Sequence, residues 1–244
     1  MRRFSIVLLL VFLFPFLMSC DSQDSQGITP ALPTPRSKPL LKPSSQRVVK
    51  GITKKRKVAL TYDMEDYTEN SDKLLQLFRL WNIKVTFFVQ GGFVQRSPHE
   101  LSVMIQDGHE IGNHSWSHPD LTKLSDVDIR SQVTKNEDEI FKKTGVSTKP
   151  LFRCPYGACT DHVRSVLFDL GYTEIFWTND TNDWRVETTP QKLIKSVLDH
   201  LEPGMIVLMH NIGKYSVEST ASLIKDIQDH GYEITTVSDV LQDE

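Results

Sequence analysis

The chain has 244 residues, with 28 Lys and Arg against 31 Asp and Glu and a formal net charge of −3. That length suits one large domain with an extension, and the near balance of charge argues against a nucleic-acid footprint. Three cysteines are too few for a disulfide scaffold.

The N-terminus reads as a targeting segment. Met1-Arg2-Arg3 is basic and residues 4–18 are apolar. This run is short for a membrane span and fits an export signal. It ends Leu17-Met18-Ser19-Cys20, which resembles the lipobox of bacterial lipoproteins. The resemblance implies a signal peptide over residues 1–19, cleavage before Cys20 and lipidation of that cysteine, so that the protein is anchored to a membrane rather than spanning it. Residues 20–56 contain Pro30, Pro33, Pro35, Pro39 and Pro43 with Ser, Gln and Lys and no apolar period. They predict a disordered or extended tether. A folded domain is expected over 57–244.

Within that domain, apolar residues 58–62 predict a buried strand running into Asp63. Residues 71–81 carry Leu74, Leu75, Leu77, Phe78 and Trp81 at helical spacing. Residues 84–90 are strand-like. Ser97-Pro98 predicts a helix start, with Ser as cap and Pro at the first position. Gly108 ends that helix and 109–113 form the next strand. A polar helix over 125–143 closes at Gly145. Strand 151–154, helix 161–170, strand 173–178, helix 189–201, strand 205–209, helix 217–230 and strand 233–237 follow. Seven strands alternating with helices predict parallel βα units. Three segments echo one another as a helix end, a glycine and a strand start: Asp107-Gly108-His109, Leu170-Gly171-Tyr172 and His230-Gly231-Tyr232. A barrel and an open doubly wound sheet both satisfy this pattern. In either, chemistry lies beyond the C-terminal strand ends.

The polar candidates sit at those ends. His114-Ser115-Trp116-Ser117-His118 places two imidazoles four residues apart just before Pro119, a spacing that reaches one metal ion from a single backbone turn. Pro119 disfavours helix at His118 and puts the pair on a strand-to-loop exit. Asp63, Arg153, Asp183 and His210 follow other strands. Cys154 and Cys159 are open to two readings, a disulfide in an exported protein or a free buried pair.

Together these motifs resemble the polysaccharide deacetylase family, carbohydrate esterase family 4, also called the nodulation-deacetylase homology domain. The resemblance covers roughly residues 57–240 and implies a distorted (β/α)7 barrel with helices outside. In Thr61-Tyr62-Asp63-Met64-Glu65-Asp66, Asp63 matches the family's general base. Family members usually have a second, metal-binding aspartate next, where this chain has Met64. The sequence is similar to relatives that run Asp-x-Glu, which makes Glu65 the expected ligand and Asp66 the alternative. The resemblance makes His114 and His118 the other ligands. It implies a divalent ion, zinc first, with cobalt, nickel or manganese also accepted by such a set. From Arg153-Cys154-Pro155-Tyr156-Gly157, Arg153 is expected to orient Asp63, and the Tyr156 backbone N–H to hold an oxyanion. From Asp180-Thr181-Asn182-Asp183-Trp184 and Leu208-Met209-His210, the resemblance implies His210 as general acid, Asp183 as its partner, and Trp184 and Leu208 as walls for an acetyl methyl.

The activity implied is metal-dependent removal of N-acetyl groups from amino sugars of a cell-envelope glycan, with peptidoglycan ahead of a chitin-like oligosaccharide. The alternatives are an O-acetyl polysaccharide esterase and a glycan-binding protein on a weakened scaffold, the latter favoured by Met64. The expected partners are the acetylated glycan and a membrane, reached through the lipid; no nucleic acid or protein partner is implied. His99, His109, His162, His200 and His230 match no motif and read as helix or surface residues.

Overall fold

A computed structural model describes residues 41–242. The expected signal peptide, Cys20 and the first part of the tether lie outside the described residues. No helix among the described residues is long and apolar enough to cross a membrane.

Strand β1 (Lys57–Met64) is the centre of the fold and is buried along almost its whole length. Its continuous apolar run is the signature of a parallel strand covered on both faces. The sheet also contains β2 (Thr86–Val89), β3 (Glu110–Asn113), β4 (Leu151–Phe152), β5 (Thr173–Glu174), β6 (Asn179–Asp180), β7 (Ile206–His210) and β8 (Glu233–Thr235). Its order is β5-β4-β3-β2-β1-β7-β6, with β8 paired to β1, and every pairing is parallel. Of the predicted strand 173–178 only Thr173–Glu174 is strand, and the chain resumes strand just beyond it at Asn179–Asp180. The first piece pairs with β4 and the second with β7, so one run of chain spans the two edges of the curled sheet. That is the distorted barrel the family resemblance implied.

Side chains alternate along β1. Val58, Leu60, Tyr62 and Met64 enter the larger hydrophobic cluster with Phe78, Phe87, Leu223 and Ile224, whereas Ala59 enters the smaller one with Phe88, Ile206 and Val237. Thr61, Asp63 and the following Glu65 therefore share the face of Ala59. In β7 the same alternation sends Val207 and Met209 to the larger cluster and puts Leu208 and His210 on the face of Ile206.

The helices are α1 (Glu69–Leu80), α2 (Gly91–Arg96), α3 (Pro98–Gln106), α4 (Asp126–Thr144), α5 (Asp161–Asp169), α6 (Pro190–Leu198), α7 (Ser216–Asp229) and α8 (Val237–Gln242). Ser125 and Thr189 cap α4 and α6 by accepting from Asp128 and Lys192 amides. Gly171 takes φ 87°, the left-handed turn that its place in the glycine echo required. Ser97 occupies the cap position of α3, but its hydroxyl makes no cap bond and is buried without a hydrogen-bond partner. Helices α2 and α8 went unpredicted because each is only six residues long.

Two expectations change. The boundary at residue 57 moves upstream: Val48 bridges Ile175, the Gly51 amide donates to the Gly204 carbonyl, and Arg47 pairs with buried Glu174. Residues 44–53 are a strap on the domain rather than free tether. His109 is a core residue, not a surface one. Its ring packs edge-on against Phe78 and Phe87, and its Nδ1 accepts the Val85 amide. Burial, with Lys84 and Arg79 nearby, pushes its pKa down to about 3, so it stays a neutral acceptor.

Candidate active site

The C-terminal ends of β1, β3, β4, β6 and β7 converge on one pocket of about 390 Å³. Asp63, Glu65, His118, Tyr156, Trp184, Leu208 and His210 line it. Arg153, Asp183 and His114 stand buried behind that lining.

Arg153 is 1 % exposed, and each of its three side-chain nitrogens donates a hydrogen bond. Its Nη1 donates to Asp63 Oδ1 and to Thr61 Oγ1, each at 2.8 Å. Its Nε and Nη2 donate to the carbonyls of Ile175 and Phe176. Its plane lies over the Phe88 ring at 4.0 Å. Burial alone would lift the Asp63 carboxyl. The Arg153 guanidinium, then His114 and His210, outweigh it and hold the group below its usual range. Asp63 is thus an ionised carboxylate in a dry setting.

His114 Nδ1 lies 2.8 Å from the Arg153 carbonyl. A carbonyl only accepts, so the ring proton sits on Nδ1 and Nε2 is left with its lone pair. Burial, only partly offset by Asp63, pushes the His114 pKa down to about 4, so the ring is neutral. Its Nε2 is 3.1 Å from Nε2 of His118, whose own Nε2 is 3.5 Å from Glu65 Oε1. Donor atoms of Glu65, His114 and His118 all lie within 4.8 Å of one another. Two imidazoles and one carboxylate facing a pocket are donor types that can hold one divalent ion. These residues fit a divalent ion. Asp66 does not join them: its Oδ1 accepts from Arg96 Nε at 2.7 Å and from the Tyr67 amide. Met64 is fully buried in the larger cluster.

The loop that carries the two histidines is built rather than loose. Ser115 and His118 have φ of 63° and 58°. Asn113 Oδ1 accepts the Ser115 amide, and Gln132 Oε1 on α4 accepts the amides of Trp116 and Ser117. Asn136, also on α4, donates to Asn113 Oδ1 and to the Val89 carbonyl.

His210 faces the other part of the pocket. Its Nδ1 is 2.8 Å from Asp183 Oδ1, and its backbone N–H donates to Asp183 Oδ2 at 2.8 Å. Burial works against the charged ring, but the Asp183 hydrogen bond and charge, with Asp63 and Glu65 beyond, raise the His210 pKa above its ordinary value. Tyr156 sits in the left-handed turn at φ 59°, with its ring edge-on to His118 at 4.5 Å. Cys154 and Cys159 form a disulfide that closes this turn.

Trp177, Asp180, Ile212 and Gly157 also line the pocket, and no sequence signal assigns them a role. A tryptophan in a strand reads as core. Here it stacks on Phe176 at 3.9 Å and packs under Gly157.

Residues 50–175 match a family model described as polysaccharide deacetylase. A peptidoglycan-N-acetylglucosamine deacetylase of Listeria monocytogenes is 34% identical over 201 residues, 81% of this chain and 42% of that protein. The chain thus spans under half the length of that relative. A peptidoglycan-N-acetylmuramic acid deacetylase of Bacillus subtilis is 31% identical, over 78% of this chain and 73% of that one. Among solved structures, a chitin deacetylase of Colletotrichum lindemuthianum superposes with a TM-score of 0.74 at 30% identity, covering 83% of this chain and 94% of that one. A family 4 carbohydrate esterase described as a pseudoenzyme, from Bacillus anthracis, superposes with a TM-score of 0.77 at 29% identity, over 82% and 70%.

Proposed function

We propose a function from one premise: the chain belongs to the polysaccharide deacetylase family. In this reading it is a metal-dependent hydrolase that removes N-acetyl groups from amino sugars of a cell-envelope glycan, peptidoglycan first. The observation that carries it is the convergence in one pocket of an Arg-held carboxylate, an Asp-held imidazole and a Glu-His-His donor set. The relatives that act on peptidoglycan support the choice of glycan.

Glu65, His114 and His118 would hold the ion. When bound, a zinc-like ion polarises a carbonyl and lowers the pKa of water to about 7. Asp63, ionised and aimed by Arg153, takes the proton of the attacking water. The oxygen of that water adds to the acetamide carbon. The Tyr156 amide donates to the oxyanion that forms. His210, charged through Asp183, gives its Nε2 proton to the departing sugar nitrogen. The C–N bond breaks, and acetate and a free amino sugar leave. Trp184 and Leu208 enclose the acetyl methyl, while the sugar rests at the exposed rim formed with Tyr156 and Ile212.

We also place the protein outside the cell, anchored through lipid on Cys20. The basic start, apolar run and lipobox-like Leu17–Cys20 support this. Mass spectrometry of membrane-fraction protein should find a modified N-terminal cysteine; an unmodified Cys20 in soluble protein refutes it.

One observation favours a glycan-binding reading instead: Met64 stands where the family usually has a ligand, and one structural relative is described as a pseudoenzyme. Glu65 supplies the missing carboxylate on the Asp63 face, which favours the hydrolase. Incubation of the zinc-loaded protein with N-acetylated peptidoglycan fragments, chitooligosaccharides and O-acetylated xylan separates the readings. Acetate from the amides supports the N-deacetylase. Acetate from the xylan alone supports the esterase, and binding without acetate supports the binding protein.

A further inference from the structure

We propose that Ser216 is a positioning residue for His210, acting through Asp183. The inference rests on the reading of His210 as the acid.

The Asp183 carboxylate has two oxygens with unequal duties. Oδ1 faces His210 Nδ1, and Oδ2 accepts the His210 backbone N–H. Both contacts come from one residue, so they orient the carboxylate relative to His210 but do not tie the pair to the rest of the fold. The terminal torsion of Asp is broad, and a third contact from another element adds that tie. Ser216, first residue of α7 and fully buried, supplies that contact: its hydroxyl donates to Asp183 Oδ2 at 3.3 Å.

The surroundings are arranged to bring this hydroxyl in. The Ser216 amide donates to the Gly213 carbonyl. A Cβ on Gly213 would stand 2.5 Å from both Ser216 Oγ and the Asp183 carbonyl oxygen, so only glycine lets the two segments approach this closely. From the other side, the Thr220 hydroxyl donates to the Ser216 carbonyl at 2.6 Å and pairs with the Tyr62 hydroxyl at 2.9 Å. Tyr62 is the neighbour of Asp63 on β1. The first turn of α7 is thus pinned to the strand that carries the base, and Ser216 transmits that placement to the acid.

The test compares Ser216→Thr with its isostere Ser216→Val, alongside Ser216→Ala, in the zinc-loaded full chain. On an acetylated chitooligosaccharide, Ala and Val are expected to lower kcat by about three- to ten-fold, the size of one ordinary intramolecular hydrogen bond. KM and bound zinc stay at wild-type levels, and Thr restores kcat. The low-field proton resonance of His210 Nδ1–H should shift in Ala and Val and return in Thr. Unchanged kcat in Ala, a Thr variant as slow as Val, or a loss carried by KM overturns the proposal. If the wild type releases no acetate, the reading of the site as a deacetylase falls, and the resonance alone then decides: the same shift in wild type and Val overturns the role of Ser216.

Discussion

Nη1 of Arg153 and Oδ1 of Asp63 lie 2.8 Å apart, and both side chains are almost completely withdrawn from water. The pair joins the end of β1 to the segment after β4. Such a pair is costly to break, because the remaining partner is a buried charge with no counterion. Arg153→Met should destabilise the fold by about 3–5 kcal/mol in denaturant unfolding. It should also move the acidic limb of the rate profile to higher pH. As the proposed base Asp63 works ionised, its folded pKa is held low, and activity should be lost as pH falls through that value; without Arg153, burial lifts it. A variant with wild-type stability and an unmoved limb would show that Arg153 does not control Asp63.

The metal site divides three neighbouring acids. Glu65→Ala should lose bound metal and activity together. Asp66→Ala should keep both, because Asp66 is engaged with Arg96. Asp63→Asn should keep the metal and lose activity. Elemental analysis of the purified proteins decides it, and full metal in Glu65→Ala would remove Glu65 from the site.

On the proposed mechanism the alkaline limb belongs to His210. Its folded pKa is raised, so its charged form is present at low pH and lost as pH rises through the raised value. The groups that face it are Asp183, Asp63 and Glu65. Asp183→Asn removes the hydrogen-bonded charge and should pull the alkaline limb to lower pH. A limb that stays in place would mean that another group is the acid.

The strap over 44–53 should behave as part of the domain. Arg47 bonds Glu174 and the Cys159 carbonyl and lies over Phe176 at 4.4 Å. Arg47→Ala should cost about 1–2 kcal/mol by chemical denaturation, and a chain beginning at residue 57 should be less stable than one beginning at 41. Equal midpoints for the two chains would return the strap to the tether.

Much of this was legible because parallel strands advertise themselves. Residues 58–62 and 205–209 are apolar runs that end in an acid and a histidine, and the glycine echoes mark where strands begin. The choice between Glu65 and Asp66 was also readable in part, since alternation along β1 puts Glu65 on the Asp63 face. Other features had no local signal. His109 is one polar residue at a strand start, and only the rings of Phe78 and Phe87, 31 and 22 residues upstream by number, make it core. The strap looked like tether because its apolar residues, Val48, Val49 and Ile52, are too few to show a period. Trp177 meets Gly157 and Ser216 meets Asp183, partners that lie far off in sequence. Short helices such as α2 fall below the length at which a period can be seen.

The proposed reaction is hydrolysis of an acetamide at the pocket of Asp63 and His210. It is read out as acetate and free amine released from an N-acetylated peptidoglycan fragment by zinc-loaded protein, with Asp63→Asn as control. The wild type should release acetate and amine in equal amounts, and Asp63→Asn and chelator-treated protein should release neither. Zinc-loaded wild type that binds the fragment and releases neither product would contradict it.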